Sequence, residues 1–354
     1  MMLLAPIAHF GAFGKTVTLN NGVEMPTINL GTCCGSKPSV GLEPWLDSGG
    51  VGIDTAFDYQ DQTDIKTIIA TRPRTSYFVT TKLPAGFGNS SDCDADASIP
   101  TRYVAENLKE LGLTYVDLVL LHAPCKFKHP FDGAKRDLAL WSGMQTVLAA
   151  NLTRSIGVSN YDTKDLTAIA SVGVKPAVNQ CVRPLPHLSI LATHASSQPV
   201  RVATASPLYP CHSCQQSTSA CDHCLAPLSL PRLPPSSPRL IHLRFSSRIG
   251  RCRMTIKSHD DATIAYCKAN GIVYEGYDVM KGCPFTDSTV TTIATAHNVS
   301  AAQVCLRWML EKEVIMATGT GADPQTAAQY AKEDLDIYDF KLSAEEIAQL
   351  DNLA

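Results

Sequence analysis

GVGIDTAFDY, residues 50–59, decides how this chain is read. A short apolar run from Val51 to Ile53 ends on Asp54, and Tyr59 closes the segment. Working outward, the arrangement recurs. YFVTTKLP (77–84) carries Lys82 near its end, and the apolar part of VDLVLLHAP (116–124) is followed by His122. A tyrosine hydroxyl is a weak acid, with a solution pKa of roughly 10. A buried ammonium beside it favours the phenolate and eases loss of the proton. A carboxylate next to that ammonium keeps it charged, and an imidazole can orient a carbonyl oxygen by hydrogen bonding. Asp54, Tyr59, Lys82 and His122 are together the parts for protonating a carbonyl while another reagent delivers hydride. Each alone reads as a satisfied core or rim residue. Their shared placement after strand-like runs sets them apart.

Those runs belong to a longer alternation. VTLNNGVEMP (17–26) is a hairpin signal, with Asn21-Gly22 at its turn. Strands are expected at 27–31, 51–54, 77–82, 116–121, 154–158, 176–180, 272–276 and 313–317. They are short and rich in Val, Ile and Leu, as parallel strands covered on both faces should be. Helices are expected at 38–48, 62–70, 100–111, 135–150, 162–171, 257–269 and 299–311. Eight strands alternating with helices predict an α/β fold, a closed (β/α)8 TIM barrel preceded by an N-terminal β-hairpin. A doubly wound sheet competes, but no GxGxxG follows the first strand. Functional residues of such barrels sit just after the strands, as Asp54, Lys82 and His122 do.

The 354 residues suffice for one large domain or two ordinary ones. A net charge of −3 argues against nucleic acid as an obligate partner. No apolar run reaches the roughly 18 residues a bilayer span needs, so no membrane partner is expected. Residues 1–15, opening MMLLAPIAHFGAFG, lack a basic leader region and read as a flexible arm rather than a targeting remnant. Eight of the 13 cysteines are scattered, and several lie in apolar runs as small hydrophobes. No disulfide framework over the whole chain is indicated, and a reducing compartment, the cytoplasm, fits better.

Residues 182–252 break the pattern. They hold 10 of the 22 prolines, 5 of the 10 histidines and seven arginines, with no lysine and Asp222 as the one acidic residue. PLSLPRLPPSSPRL (227–240) has neither helical nor strand periodicity, and proline at this density blocks helix and sheet alike. Such a stretch is far longer than loops in compact domains, so a disordered insertion after the sixth barrel strand is expected. A metal module is the rival reading. CHSCQQSTSACDHC (211–224) places Cys211, Cys214, Cys221 and Cys224 as two C-x2-C pairs, and four thiolates suit zinc. The spacer between the pairs is shorter than the usual span of about 12–20 residues, so no metal is assigned.

Over 16–181 and 253–352 the chain resembles the aldo-keto reductases, (β/α)8 barrels that reduce carbonyls with a nicotinamide cofactor. GIDTAFDY looks like that family's segment with the catalytic Asp and Tyr, TTKLP like its lysine strand and LLHAP like its histidine strand. LGTC, with Gly31 and Thr32, resembles the first-strand turn. IGVSNY, with Ser159 and Asn160, and AVNQ, with Gln180, look like the site for the nicotinamide carboxamide. GIVYEGYDVMKG (271–282) resembles the seventh strand, where Tyr277 would stack on the nicotinamide ring. The resemblance implies that Tyr59 protonates the alkoxide, Lys82 lowers the pKa of Tyr59, Asp54 holds Lys82, and His122 orients the substrate oxygen. It also bears on the insertion. Removing 182–252 joins AVNQC to RMTIKSHDDATIAYC and restores the family's shorter spacing, as expected of translated intron sequence. What is left is a single barrel over 16–352.

The distal end of the cofactor departs from the family. Many members place a Lys-Ser/Thr pair after the eighth strand and an Arg further on against the 2′-phosphate. Here Ala317-Thr318 and Tyr330 stand at those positions, Glu333 keeps the next acidic position, and Asp334 replaces the usual Asn. Asp278 replaces a usual Ser near the pyrophosphate, with Lys281 close by. NADPH is expected from the family, and NADH is left open by the missing basic pair. Thr318 and Glu333 complete the expected cofactor contacts. The expected partner is a small carbonyl substrate, aldehyde or ketone, bound by a monomer. Two alternatives stand beside this: a non-catalytic, cofactor-binding regulatory barrel, and an isoform inactivated by the insertion.

Overall fold

The computed structural model describes residues 15–180 and 254–354. The expectations for 1–14 and for 182–252, including the disordered insertion and the four zinc-spaced cysteines, lie outside the described residues. A hairpin opens the fold, with β1 (Thr16–Thr18) antiparallel to β2 (Glu24–Pro26). Its connection runs from Leu19 to Val23 and turns at Gly22, whose φ of 84° suits glycine.

The eight strands of the barrel follow: β3 (Ile28–Gly31), β4 (Gly52–Asp54), β5 (Phe78–Leu83), β6 (Val116–Leu121), β7 (Thr153–Ser159), β8 (Val178–Gln180), β9 (Val273–Tyr277) and β10 (Ile315–Thr318). Every neighbouring pair is parallel, and β10 pairs with both β9 and β3, which closes the barrel. All eight expected strands are present within a few residues.

Helices α1 (Pro38–Asp47), α2 (Gln62–Ile69), α3 (Ile99–Leu111), α4 (Gly133–Ala149), α5 (Thr163–Ala170) and α6 (Asp261–Ala269) correspond to expected ones. Three more were not read from the sequence: α7 (Ser288–His297), α9 (Pro324–Leu335) and α10 (Ala344–Asp351). The expected helix at 299–311 is α8 (Ala301–Glu311), entered through a capping box between Ser300 and Gln303.

The barrel interior is layered. At its base the hairpin residues Val17, Leu19 and Met25 pack with Phe78, Leu118, Leu120, Val178 and Ile315 from the strands. Apolar side chains therefore plug the N-terminal end. Further along the strands the interior turns polar, with Asn29, Asp54, Lys82, Gln180 and Glu275 all buried. A second and larger apolar cluster lies between strands and helices and holds Trp45, Trp141 and Trp308. Trp141 is buried on α4 and donates from Nε1 to the Val174 carbonyl, in keeping with a packing role.

Six cysteines pair where spacing alone had announced no framework. Cys33 pairs with Cys34, Cys93 with Cys125, and Cys283 with Cys305. The last two pairs bring together residues 32 and 22 apart in sequence, proximity that only the folded chain creates.

Candidate active site

The strands deliver their terminal residues to one face. Asp54 ends β4, Lys82 is the second-last residue of β5, and His122 directly follows β6. Tyr59 reaches the same place from a short 3-10 turn, Phe57–Tyr59, that follows β4. Lys82 is fully buried. Its Nζ donates to Asp54 Oδ1 at 2.6 Å and to the Thr55 carbonyl at 3.0 Å, and lies 3.4 Å from the Tyr59 hydroxyl. The buried ammonium is thus paired and bonded, as a charge out of water must be.

Charge states follow. Burial works against the Lys82 charge, but Asp54 and Tyr59 outweigh it and hold the ammonium above the usual lysine range. For Tyr59 burial wins. Desolvation pushes its pKa up to about 12, with Lys82 pulling it down and Asp54 pushing it up. Lys82 thus lowers the Tyr59 pKa as expected, while burial, the larger influence, keeps the hydroxyl above its ordinary range and Asp54 adds to that rise.

His122 is buried, and its Nδ1 lies 3.0 Å from Asp58 Oδ2. Burial holds the imidazole below its ordinary pKa, and Asp58 pulls it partly back. Its ring meets those of Tyr59 and Phe87 edge-on, with centroids 5.6 and 5.1 Å away.

The expected cofactor residues divide into groups. A cleft at the end of the strands is lined by Gly31, Asp54, Tyr59, Gln180, Tyr277 and Thr318, among others. Thr32, Ser159 and Asn160 join it through hydrogen bonds. The Thr32 N–H donates to the Asp54 carbonyl at 3.0 Å, and Ser159 Oγ donates to the Gln180 carbonyl at 2.9 Å. Asn160 Nδ2 donates to the His122 carbonyl at 2.8 Å and to Ser159 Oγ at 2.9 Å. Gln180 Nε2 is committed twice, to Asp54 Oδ2 at 2.7 Å and to Glu275 Oε2 at 3.0 Å. Its carbonyl oxygen is what it can offer a ligand.

Glu333 stands apart. It lines a separate depression with Asn298 and Lys332 and accepts from Gln329 at 2.7 Å. Thr318 Oγ1 donates to the buried Asp334 at 2.8 Å, and burial pushes that carboxyl up to about 7. Lys281 is paired with Asp278 at 2.9 Å, as their closeness in sequence suggested. Three residues at the site were not singled out from the sequence: Asp58, Asn29 and Glu275. Glu275 carried a signal, a lone acid inside the apolar run of β9. Among the described residues no group of three or more His, Cys, Asp or Glu side chains is placed to hold a metal.

A sequence profile described as the Aldo/keto reductase family matches residues 42–208. Over nearly its whole length the chain also aligns with members of that family. The chain is thus similar to the aldo/keto reductase family. It is similar to morphine 6-dehydrogenase of Pseudomonas putida, with 28% identity over 95% of this chain and 90% of that protein. It is also similar to glyoxal reductase of Bacillus subtilis, with 26% identity over 96% of this chain and 92% of that protein. Among solved structures, an aldo/keto reductase from Brucella melitensis superposes with a TM-score of 0.67 at 22% identity, covering 96% of this chain and 99% of that one. Bombyx mori aldo-keto reductase AKR2E4 in complex with NADP superposes with a TM-score of 0.64 at 22% identity, covering 96% and 92%. At that identity the superpositions speak for the shared barrel.

Proposed function

We propose that this protein is an aldo/keto reductase that reduces a small aldehyde or ketone to the alcohol, with Tyr59 as general acid and NAD(P)H as the other reactant. The observation that carries the reading is the buried Asp54–Lys82 pair at 2.6 Å, with the Tyr59 hydroxyl 3.4 Å from its ammonium. A reduced nicotinamide supplies hydride when bound. Tyr277, Gln180, Ser159 and Asn160 would hold its ring and carboxamide, and Gly31, Thr32 and Thr318 the rest of the dinucleotide; Glu333, in its separate depression, does not line that cleft. The cleft fits an extended ligand. It runs from Tyr59 past Tyr277 to Gly319 and Gly321, and the floor is tight, since a side chain at Gly31 would begin 3.2 Å from the Thr318 carbonyl.

Tyr59 is a competent donor at a pKa near 12 because the alkoxide it protonates is a much stronger base. Lys82 then faces the phenolate left behind and stabilises it, and Asp54 keeps Lys82 charged and in place.

The role of His122 sharpens. With Asp58 taking the Nδ1 proton, a neutral ring has a lone pair at Nε2 and accepts rather than donates. A bond from His122 to a carbonyl oxygen needs the imidazolium, which forms only below the ordinary histidine range. At neutral pH the proton donor is Tyr59.

NADPH remains our assignment on family grounds. Lys281, the one cation lining the cleft among the described residues, is engaged by Asp278, and Thr318 is engaged by Asp334. A 2′-phosphate would gain little there, so catalytic efficiencies with NADPH and NADH are expected to lie within about tenfold, or about 1.4 kcal/mol. Steady-state kinetics with both cofactors check this. We place the protein in the cytoplasm as a monomer, where the pairs Cys33–Cys34, Cys93–Cys125 and Cys283–Cys305 would be held as thiols. Among the described residues no helix is long and apolar enough to cross a membrane.

Tyr59→Phe tests the assignment. It removes the transferable proton and keeps the ring, so kcat should fall by about 10²-fold or more. Dinucleotide affinity, read by fluorescence titration, should hold. Retained turnover would refute the role of Tyr59.

A further inference from the structure

Glu275 takes no part in the chemistry above, yet it is joined to it. It stands on β9, in register with Gln180 on β8, and is fully buried. Its Oε1 accepts from Asn29 Nδ2 at 3.0 Å and its Oε2 from Gln180 Nε2 at 3.0 Å. The same Gln180 nitrogen donates to Asp54 Oδ2 at 2.7 Å, and Asp54 Oδ1 holds Lys82 at 2.6 Å. One amide is therefore clamped between two buried carboxyls. A line of hydrogen bonds runs from Asn29 to the ammonium beside Tyr59. Lys82 supplies one positive charge against two acids, an imbalance that a buried, low-dielectric site does not tolerate cheaply.

The structure also provides a way out of that imbalance. Asn29 Oδ1 is buried and has no hydrogen-bond partner among the described residues. Turning the Asn29 amide about its Cβ–Cγ bond exchanges Nδ2 for Oδ1 opposite Glu275, so that a protonated Glu275 finds an acceptor. The residue paired with Asn29 on β4 is Gly52, and a Cβ there would sit 2.0 Å from Asn29 Oδ1. The missing side chain keeps this space for the amide.

We propose that Glu275 is a positioning residue for proton donation by Tyr59, acting through the charge it adds to or withholds from the Asp54–Lys82 pair. As a neutral acid it leaves Asp54 as the counter-charge of Lys82. As a carboxylate it adds a second negative charge to the same ammonium and makes Tyr59 a weaker acid. The charged groups facing it are Asp54 from β4 and Lys82 from β5, and Lys82 in turn lies 3.4 Å from the Tyr59 hydroxyl; Asn29 and Gln180 are neutral. Burial, then the Asp54 charge, pushes the Glu275 carboxyl up to about 8, with Gln180, Lys82 and Asn29 pulling it down. The charge thus appears as pH rises through about 8, and reduction slows there.

This inference rests on Tyr59 as the donor, and its test separates the two claims. In the full-length, ligand-free protein, carbon-13 NMR of labelled glutamate, assigned with Glu275→Gln, should give a carboxyl midpoint between about pH 7 and 9. A midpoint below about pH 6 would overturn the proposal. In turnover, wild-type kcat should fall about threefold or more across the same window, while dinucleotide affinity stays constant. Glu275→Gln should flatten that limb, and Glu275→Asp should restore it. A limb unchanged in Glu275→Gln overturns the proposal as well. Should the wild type turn over no carbonyl at any pH, the reductase reading fails, and the NMR midpoint still decides the charge state of Glu275.

Discussion

At the scale of single residues, Lys82 shows how burial and charge decide chemistry together. Its ammonium is out of water, and Asp54 at 2.6 Å is what keeps it charged. Lys82→Met leaves Asp54 as an uncompensated buried charge beside Glu275. Such losses cost about 3–5 kcal/mol, so a lowered melting temperature should accompany the loss of reduction, as thermal denaturation would show. His122 gives a second prediction. Its imidazolium forms only below the ordinary histidine range, so any rate gained through it should appear as pH falls below that range and vanish in His122→Asn. The four proton-transfer candidates were legible because each follows a short apolar run. Asp58 was not, since nothing in FDY indicates that its carboxylate reaches an imidazole 64 positions away. Nor was the raised pKa of Tyr59, which depends on how far the fold desolvates its hydroxyl.

At the scale of elements, the strands read clearly because a parallel strand covered on both faces must be apolar throughout. The burial of all six residues of β5 and of β6 is what YFVTTKLP and VDLVLLHAP encode. The missed helices nonetheless carried clear ends. Asp323-Pro324 opens α9, and the Ser343–Glu346 capping box opens α10. Helix α7 is built of STVTTIATAH, whose β-branched residues are indifferent helix formers, and its place is set by packing Val290 and Ile293 inward. Caps have measurable value here. Ser300 Oγ accepts from the Gln303 N–H at 3.2 Å, and Gln303 Nε2 donates to the Asp336 carbonyl at 2.6 Å, tying α8 to the end of α9. Ser300→Ala should cost about 1 kcal/mol in denaturant unfolding, with activity unchanged.

At the scale of the whole molecule, the barrel explains why residues far apart in sequence act together. Asp54, Lys82, Gln180 and Glu275 come from four strands, and closure brings them to one polar layer above an apolar base. The composition of 182–252 fits neither part of that design. We propose that the chain lacking 182–252 keeps the barrel. Its circular dichroism should match that of the full chain, its reductase activity should be equal or higher, and the dominant transcript should lack the segment. A message retaining it would sink the intron reading. The central claim, hydride transfer to a carbonyl with Tyr59 supplying the proton, is tested most directly by isotope tracing. With cofactor deuterated at nicotinamide C4 and an aromatic aldehyde, the alcohol should carry one deuterium on its carbinol carbon, and Tyr59→Phe should form almost none. Cofactor oxidation with no deuterium in the alcohol, or undiminished labelling by Tyr59→Phe, would contradict the account.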